Sequence, residues 1–217
     1  MPITKALFIG NSYTFCNKMP WIVSKLAESA GKQLEVEMVT QGGVDFQWHI
    51  NNQETLDAID KDIWDFIVLQ NHSLAAVEKR DDMIKYGDML IQRTQETKAK
   101  TVLFMTWARQ HIPEMIEDIV GAYTELAEKN NTIIAPVGLA WKKALEADKA
   151  LILHTEDKSH PNPLGSYLVA CVFYSTFYNA SPEGLAGRIE IDGETIVDLP
   201  DSQAAFLQST AWFATGG

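Results

Sequence analysis

The chain has 217 residues, 46% of them apolar and 22% charged, enough to bury roughly 70% of its unfolded surface as one soluble globular domain. Its 29 acidic and 18 basic residues give a formal net charge of −11, and no run of Lys and Arg exceeds a pair such as Lys142-Lys143. Phosphate binding needs clustered cations, so nucleic acid is excluded as a partner class, and the acidic surplus serves solubility. No apolar run reaches the 18 residues that a helical membrane span requires.

Two cysteines, Cys16 and Cys171, make no disulfide framework and read as small buried apolar residues. Strand-like residues begin by about Lys5 with no cleavage site before them, which reads as a cytoplasmic chain. The alternative is a periplasmic or secreted mature form whose leader has been removed.

In chain order, Ala6-Leu7-Phe8-Ile9 reads as a buried strand, and a helix follows from about Lys18 to Ala30, closed by Gly31. Leu34 to Val39 alternates, as a strand half-exposed on one face should. A helical stretch runs from about Phe46 to Ile59 before a third strand, Phe66-Ile67-Val68-Leu69, whose unbroken apolar character suits burial on both faces. Next come a helix around Asp82–Thr97, a strand at Thr101–Met105 and, after Pro113, a helix with Met115, Ile116, Ile119, Val120, Tyr123 and Leu126 on its apolar face. A fifth strand at Thr132–Ala135 precedes helices at Leu139–Ala147 and Leu164 to about Tyr178, the latter opened by Asn162-Pro163.

Five strands alternating with helices predict an α/β fold: a three-layer sandwich with a mainly parallel five-stranded sheet. The tail differs. Ile189–Ile191, Asp192-Gly193 and Thr195–Val197 read as a hairpin with an Asp-Gly turn, and Asp201 to about Phe213 as a closing helix. The expectation is a single domain over residues 1–217 with a C-terminal addition at about 188–217.

Sites in open parallel sheets form beyond the carboxyl ends of the strands. Those ends carry Gly10-Asn11-Ser12, Gln41-Gly42-Gly43-Val44-Asp45, Gln70-Asn71-His72-Ser73 and Thr106 to His111, and the loop before the last long helix holds His154, Asp157 and His160. Ser12 alone reads as a helix cap or turn residue. Asp157 and His160 change its meaning: a serine hydroxyl needs a base, and a histidine base works best when a carboxylate fixes its tautomer. Gly42 or Gly43 could present a free backbone N–H and Asn71 an amide to an oxyanion, although Gly-Gly more commonly serves a turn. A competing reading takes His154, Asp157 and His160 as metal ligands with an open position for water. His49, His72 and His111 read as structural or peripheral. Trp107 and Trp48 fall close enough to the rim to line a cleft, while packing is the commoner use of tryptophan.

With these residues in hand, the chain resembles the SGNH hydrolases, the GDSL esterase/lipase superfamily. Phe8-Ile9-Gly10-Asn11-Ser12 is similar to its first block, with Asn11 where Asp is usual, and Asp157-Lys158-Ser159-His160-Pro161 to its last. Gly42-Gly43 falls where the second block supplies a glycine, and Gln70-Asn71-His72 where the third supplies an asparagine, one position out of register.

The resemblance implies a flavodoxin-like sheet and a serine esterase in which Ser12, His160 and Asp157 form the triad. It implies an oxyanion hole from Ser12, Gly43 and Asn71, with Gly42, the N–H of Asp45, Gln70 and His72 as further candidates. It implies no cofactor and no metal, and a small-molecule or carbohydrate ester, acetylated carbohydrate foremost, as substrate. A metal-dependent hydrolase and a non-catalytic carbohydrate-binding module are the two alternatives. The larger α/β-hydrolases fit less well, because Thr14 stands where their nucleophile motif has a second glycine.

Overall fold

Short apolar runs form the buried strands of the computed structural model, which describes residues 2–217. Strands β1 (Thr4–Gly10), β2 (Leu34–Thr40), β3 (Phe66–Leu69), β4 (Lys100–Phe104) and β5 (Ile133–Ala135) build one parallel sheet in the order β2-β1-β3-β4-β5. All four β3 residues are buried, whereas edge strand β2 exposes Glu35 and Glu37. The sheet and its flanking helices are the α/β sandwich expected from the alternation.

After β1 a short α1 (Ser12–Phe15) and a 3-10 turn (Cys16–Lys18) lead into α2 (Met19–Ser29). Next in order stand α3 (Phe46–Ile50), α4 (Gln53–Asp60), α5 (Ala75–Glu78), α6 (Arg80–Gln95), α7 (Met115–Asn130), α8 (Val137–Ala147) and α9 (Pro163–Tyr178). Alternation along the strands splits the core in two. Ala6, Phe8, Val68 and Phe104 face α2, α8 and α9, while Leu7, Ile9, Ile67 and Leu103 face the layer of α3 to α7. Phe173 on α9 meets Phe8 and Phe104 edge-on, with centroids 5.3 and 4.9 Å away.

The helix expected over 46–59 is two helices. Asn52 accepts from Thr55 N at 2.9 Å and so starts α4 afresh, a cap that apolar periodicity does not register. The helix expected from Lys18 is likewise preceded by α1 and a kink, where Asn17 (φ 54°) and Lys18 (φ 53°) are left-handed.

The tail forms the expected hairpin, β6 (Arg188–Ile191) and β7 (Glu194–Asp198), turned by Asp192 and Gly193 at φ 53° and 79°. It is followed by α10 (Asp201–Ala214), which joins the α2-α8-α9 face. Both cysteines are free, and among the described residues no helix is long and apolar enough to cross a membrane.

Candidate active site

The strand order reverses at β1, so a crevice opens past the carboxyl ends of β1 and β3. Ser12 stands there as the first residue of α1. It is not the cap: Asn11 Oδ1 accepts from Tyr13 N at 3.1 Å, and Asn11 Nδ2 donates to Val44 O at 2.9 Å. The Ser12 hydroxyl is left to face His160, with Oγ 2.8 Å from Nε2.

Two buried side chains hold the backbone ahead of it. Gln70 Oε1 accepts from Asn11 N at 2.8 Å and from Thr14 Oγ1 at 3.0 Å, and Gln70 Nε2 donates to Asn71 O. The fit requires glycine at position 10, because a Cβ there would lie 2.5 Å from both Gln70 Oε1 and Thr14 Oγ1. On the other side His49 Nε2 donates to Gly10 O at 3.0 Å while Nδ1 lies 3.0 Å from Thr55 Oγ1. Burial pushes the His49 ring down to about 4, so this clamp is neutral at pH 7.

The loop carrying Asp157 and His160 is folded on itself. His154 pairs with Pro161 in an isolated β-bridge, and Thr155 N donates to His160 O at 2.9 Å. Asp157 Oδ1 accepts from Ser159 N (2.8 Å), His160 N (2.9 Å) and Thr155 Oγ1 (2.8 Å); Oδ2 accepts from His160 Nδ1 at 2.5 Å. Desolvation alone would push the Asp157 carboxyl up, but these four donors, the His160 imidazole foremost, hold it well below the usual carboxylate range. An ionised Asp157 fixes the proton on Nδ1, so a neutral His160 presents a lone pair at Nε2 and accepts from the Ser12 hydroxyl.

Aromatic packing fixes that loop against the sheet. Trp107 Nε1 donates to Ser159 O at 3.0 Å, and Tyr13 OH shares a 2.6 Å hydrogen bond with Ser159 Oγ. Tyr13 stacks on Trp107 at 4.5 Å, Trp107 on Trp141 at 4.2 Å, and the edge of His160 meets Tyr13 at 5.5 Å. Trp107 is fully buried and therefore packs instead of lining a cleft, and Trp48 sits part-exposed on α3. Asn17 completes the frame, donating from Nδ2 to Pro161 O at 2.9 Å and to Ser166 Oγ at 2.8 Å. Its left-handed backbone suits Asn better than most residues.

The candidate oxyanion donors separate by their partners. Gln70 is fully buried with both ends of its amide engaged. His72 Nδ1 accepts from Leu74 N at 3.3 Å, and burial together with the nearby Arg109 charge pushes its ring down. Asn71 Oδ1 accepts from Phe46 N at 2.8 Å and His72 N at 2.9 Å. Two N–H donors on one atom identify it as the oxygen, which leaves Nδ2 as the uncommitted donor. Gly43 (φ 73°) and Gly42 are exposed in the turn after β2, tethered to the Ser12 loop by the Asn11–Val44 bond.

His154, Asp157 and His160 do not converge. His154 Nε2 donates to Ala108 O at 3.1 Å, and among the described residues no three His, Cys, Asp or Glu side chains are arranged to hold a metal ion. His111 is exposed on its loop. Sequence reasoning missed Gln70 as a support and His49 as a clamp, and gave Asn17, Tyr13, Ser159 and Arg109 no role of their own. A polar residue closing an apolar strand run was the one available signal, for Gln70.

This crevice and sheet order define a class: the chain has the fold of the SGNH hydrolases. A protein from Slackia heliotrinireducens provisionally classed as an SGNH hydrolase superposes with a TM-score of 0.68 at 24% identity, covering 81% of this chain and 100% of its own. A DUF4886 family protein from Bacteroides uniformis reaches a TM-score of 0.81 at 18% identity over 98% and 95% of the two chains. The acetyl xylan esterase AlAXEase gives 0.64 at 22% identity over 79% and 98%. No family model matches the sequence, and no curated protein matches it.

Proposed function

We propose that the chain is a serine esterase in which Ser12 is the nucleophile, His160 the general base and then acid, and Asp157 the group that orients His160. The observation that carries this reading is the unbroken line Ser12 Oγ–His160 Nε2 at 2.8 Å and His160 Nδ1–Asp157 Oδ2 at 2.5 Å. As Oγ attacks an ester carbonyl, its proton passes to Nε2, and the resulting imidazolium is stabilised by the ionised Asp157. The backbone N–H of Ser12, a Gly43 N–H and Asn71 Nδ2 receive the developing oxyanion. His160 then protonates the departing alcohol, and water repeats the sequence on the acyl-enzyme. Acetylated carbohydrate is the preferred substrate class, supported by the likeness in fold to an acetyl xylan esterase.

A fluorophosphonate probe tests the assignment. Wild type is expected to be labelled at Ser12, and Ser12→Ala and His160→Ala to lose labelling and short-chain aryl-ester hydrolysis while keeping the wild-type circular dichroism. Full activity in either variant would sink the triad. Asp157→Asn is expected to lower kcat by about 10³–10⁴ through the wrong histidine tautomer. Activity abolished by a chelator with no serine labelling would favour a metal hydrolase instead.

A further inference from the structure

Four arginines occur in the chain, and three of them sit on carboxylates. Arg80 pairs with Glu125 at 2.9 Å, Arg93 with Asp60 at 2.5 Å, and Arg188 with Glu190 and Asp198 at 2.7 Å each. Arg109 has no carboxylate partner among the described residues, although acidic residues outnumber basic ones 29 to 18. Nor is it a solvated surface charge: it is part-buried, Nη2 donates to Ser73 Oγ at 3.2 Å, and Nε is buried with no acceptor. A buried Nε–H without an acceptor, on a part-buried guanidinium without an anion, is costly, which makes its placement informative.

Arg109 faces two ways. Towards the crevice its charge acts on Tyr13 and His72. Away from the crevice it lines a cavity of about 400 Å³ walled by Trp141, His154, Ile116 and Leu145. Trp141, 2% exposed, contributes a second buried donor with no acceptor, its Nε1. Two orphaned donors thus belong to residues lining one cavity of a size suited to a small organic group.

The cavity shares a wall with the triad loop, because Gln110 N donates to Lys158 O at 2.9 Å and His154 bridges Pro161. It lies on the β4–β5 side of Ser12, beside the loop of the residue that would protonate the leaving alcohol. Of the oxyanion candidates, Gly42 and Gly43 lie on the opposite side of β1, after β2, and Asn71 stands after β3, between Ser12 and the β4 loop. The alcohol half of an ester is therefore the part that this cavity would take. At its outer wall Lys142 and Lys149 stand among Glu114, Glu117 and Glu146, so the mouth offers no net positive charge to a polyanion. One carboxylate at the inner end fits best.

Resting on the esterase reading, we propose that Arg109 and Trp141 form a subsite for the alcohol half of the substrate and that this half carries a carboxylate. The test uses a matched pair, 4-acetoxybenzoate and its neutral methyl ester, with the full chain as wild type, Arg109→Met and Arg109→Lys. Wild type is expected to favour the anionic ester at least tenfold in kcat/KM, Arg109→Met to bring the ratio near one, and Arg109→Lys to retain part of it. Equal turnover of both esters by wild type would overturn the subsite and leave the esterase intact.

A binding arm separates the two readings. Ser12→Ala titrated with 4-hydroxybenzoate is expected to bind it, and to bind methyl 4-hydroxybenzoate at least tenfold more weakly. The added Arg109→Met change should abolish that difference. Such binding without turnover of any ester would sink the esterase and keep the subsite, whereas no charge-dependent binding would overturn the subsite.

Discussion

Gln70 closes an unbroken apolar strand, and its amide satisfies Asn11 N and the Thr14 hydroxyl, which flank Ser12 in the chain. Gln70→Leu would orphan both donors inside the protein, a cost of about 1–3 kcal/mol for a buried unsatisfied group. We expect a lower urea midpoint and a kcat that falls more than KM changes; unchanged values would show that the Asn11 loop holds its place unaided. His49 adds a pH dependence. Its folded value near 4 lies below the ordinary 6.5, so the unfolded chain binds a proton that the folded chain excludes. Stability is therefore full above pH 6.5 and falls as the pH drops towards 4, by on the order of 3 kcal/mol. Denaturant titrations between pH 7 and 4 should show this slope in wild type and lose it in His49→Gln. Ser12, Asp157 and His160, the proposed triad, could be picked out as candidates because their signals are local: a strand end, and a spacing of three. Gln70, His49 and Asn17 act on partners 59, 39 and 144 positions away, and nothing near them in sequence announces it.

At the scale of elements, α9 couples the core to the site. Asn162 caps it by accepting from Gly165 N at 2.9 Å, and Asn162 N donates to Leu153 O, also at 2.9 Å. Gly165 lies so close to that strand of loop that a Cβ would sit 2.5 Å from Leu153 O and from the Trp141 ring. Alanine gains about 1 kcal/mol of helix propensity over glycine, but overpacking costs about 1–3 kcal/mol. Because one clashing atom is backbone, the clash should win: Gly165→Ala is expected to lower the thermal midpoint and to reduce kcat by shifting the loop of Asp157 and His160. A raised midpoint would show that the loop yields freely. The long helices were readable from apolar spacing. The break between α3 and α4 was not, because a single Asn52 side chain makes it.

Across the whole molecule, alternating apolar runs and amphipathic stretches foretold a parallel sheet with covered faces, and burial of the β3 run on both sides bears that out. Strand order was not derivable from those runs, because β1 pairs with both β2 and β3 through contacts that no local pattern encodes. The same non-locality bears on time. Ser12 and His160 are 148 positions apart and meet only when the loop ahead of α9 has docked against the sheet. Parallel pairing and long loop closures are slow steps in folding. Catalytic competence should therefore be among the last properties to return on dilution from denaturant, lagging the helical circular dichroism. Stopped-flow recovery of the two signals side by side would show that delay, and simultaneous recovery would mean that site and fold close in one step.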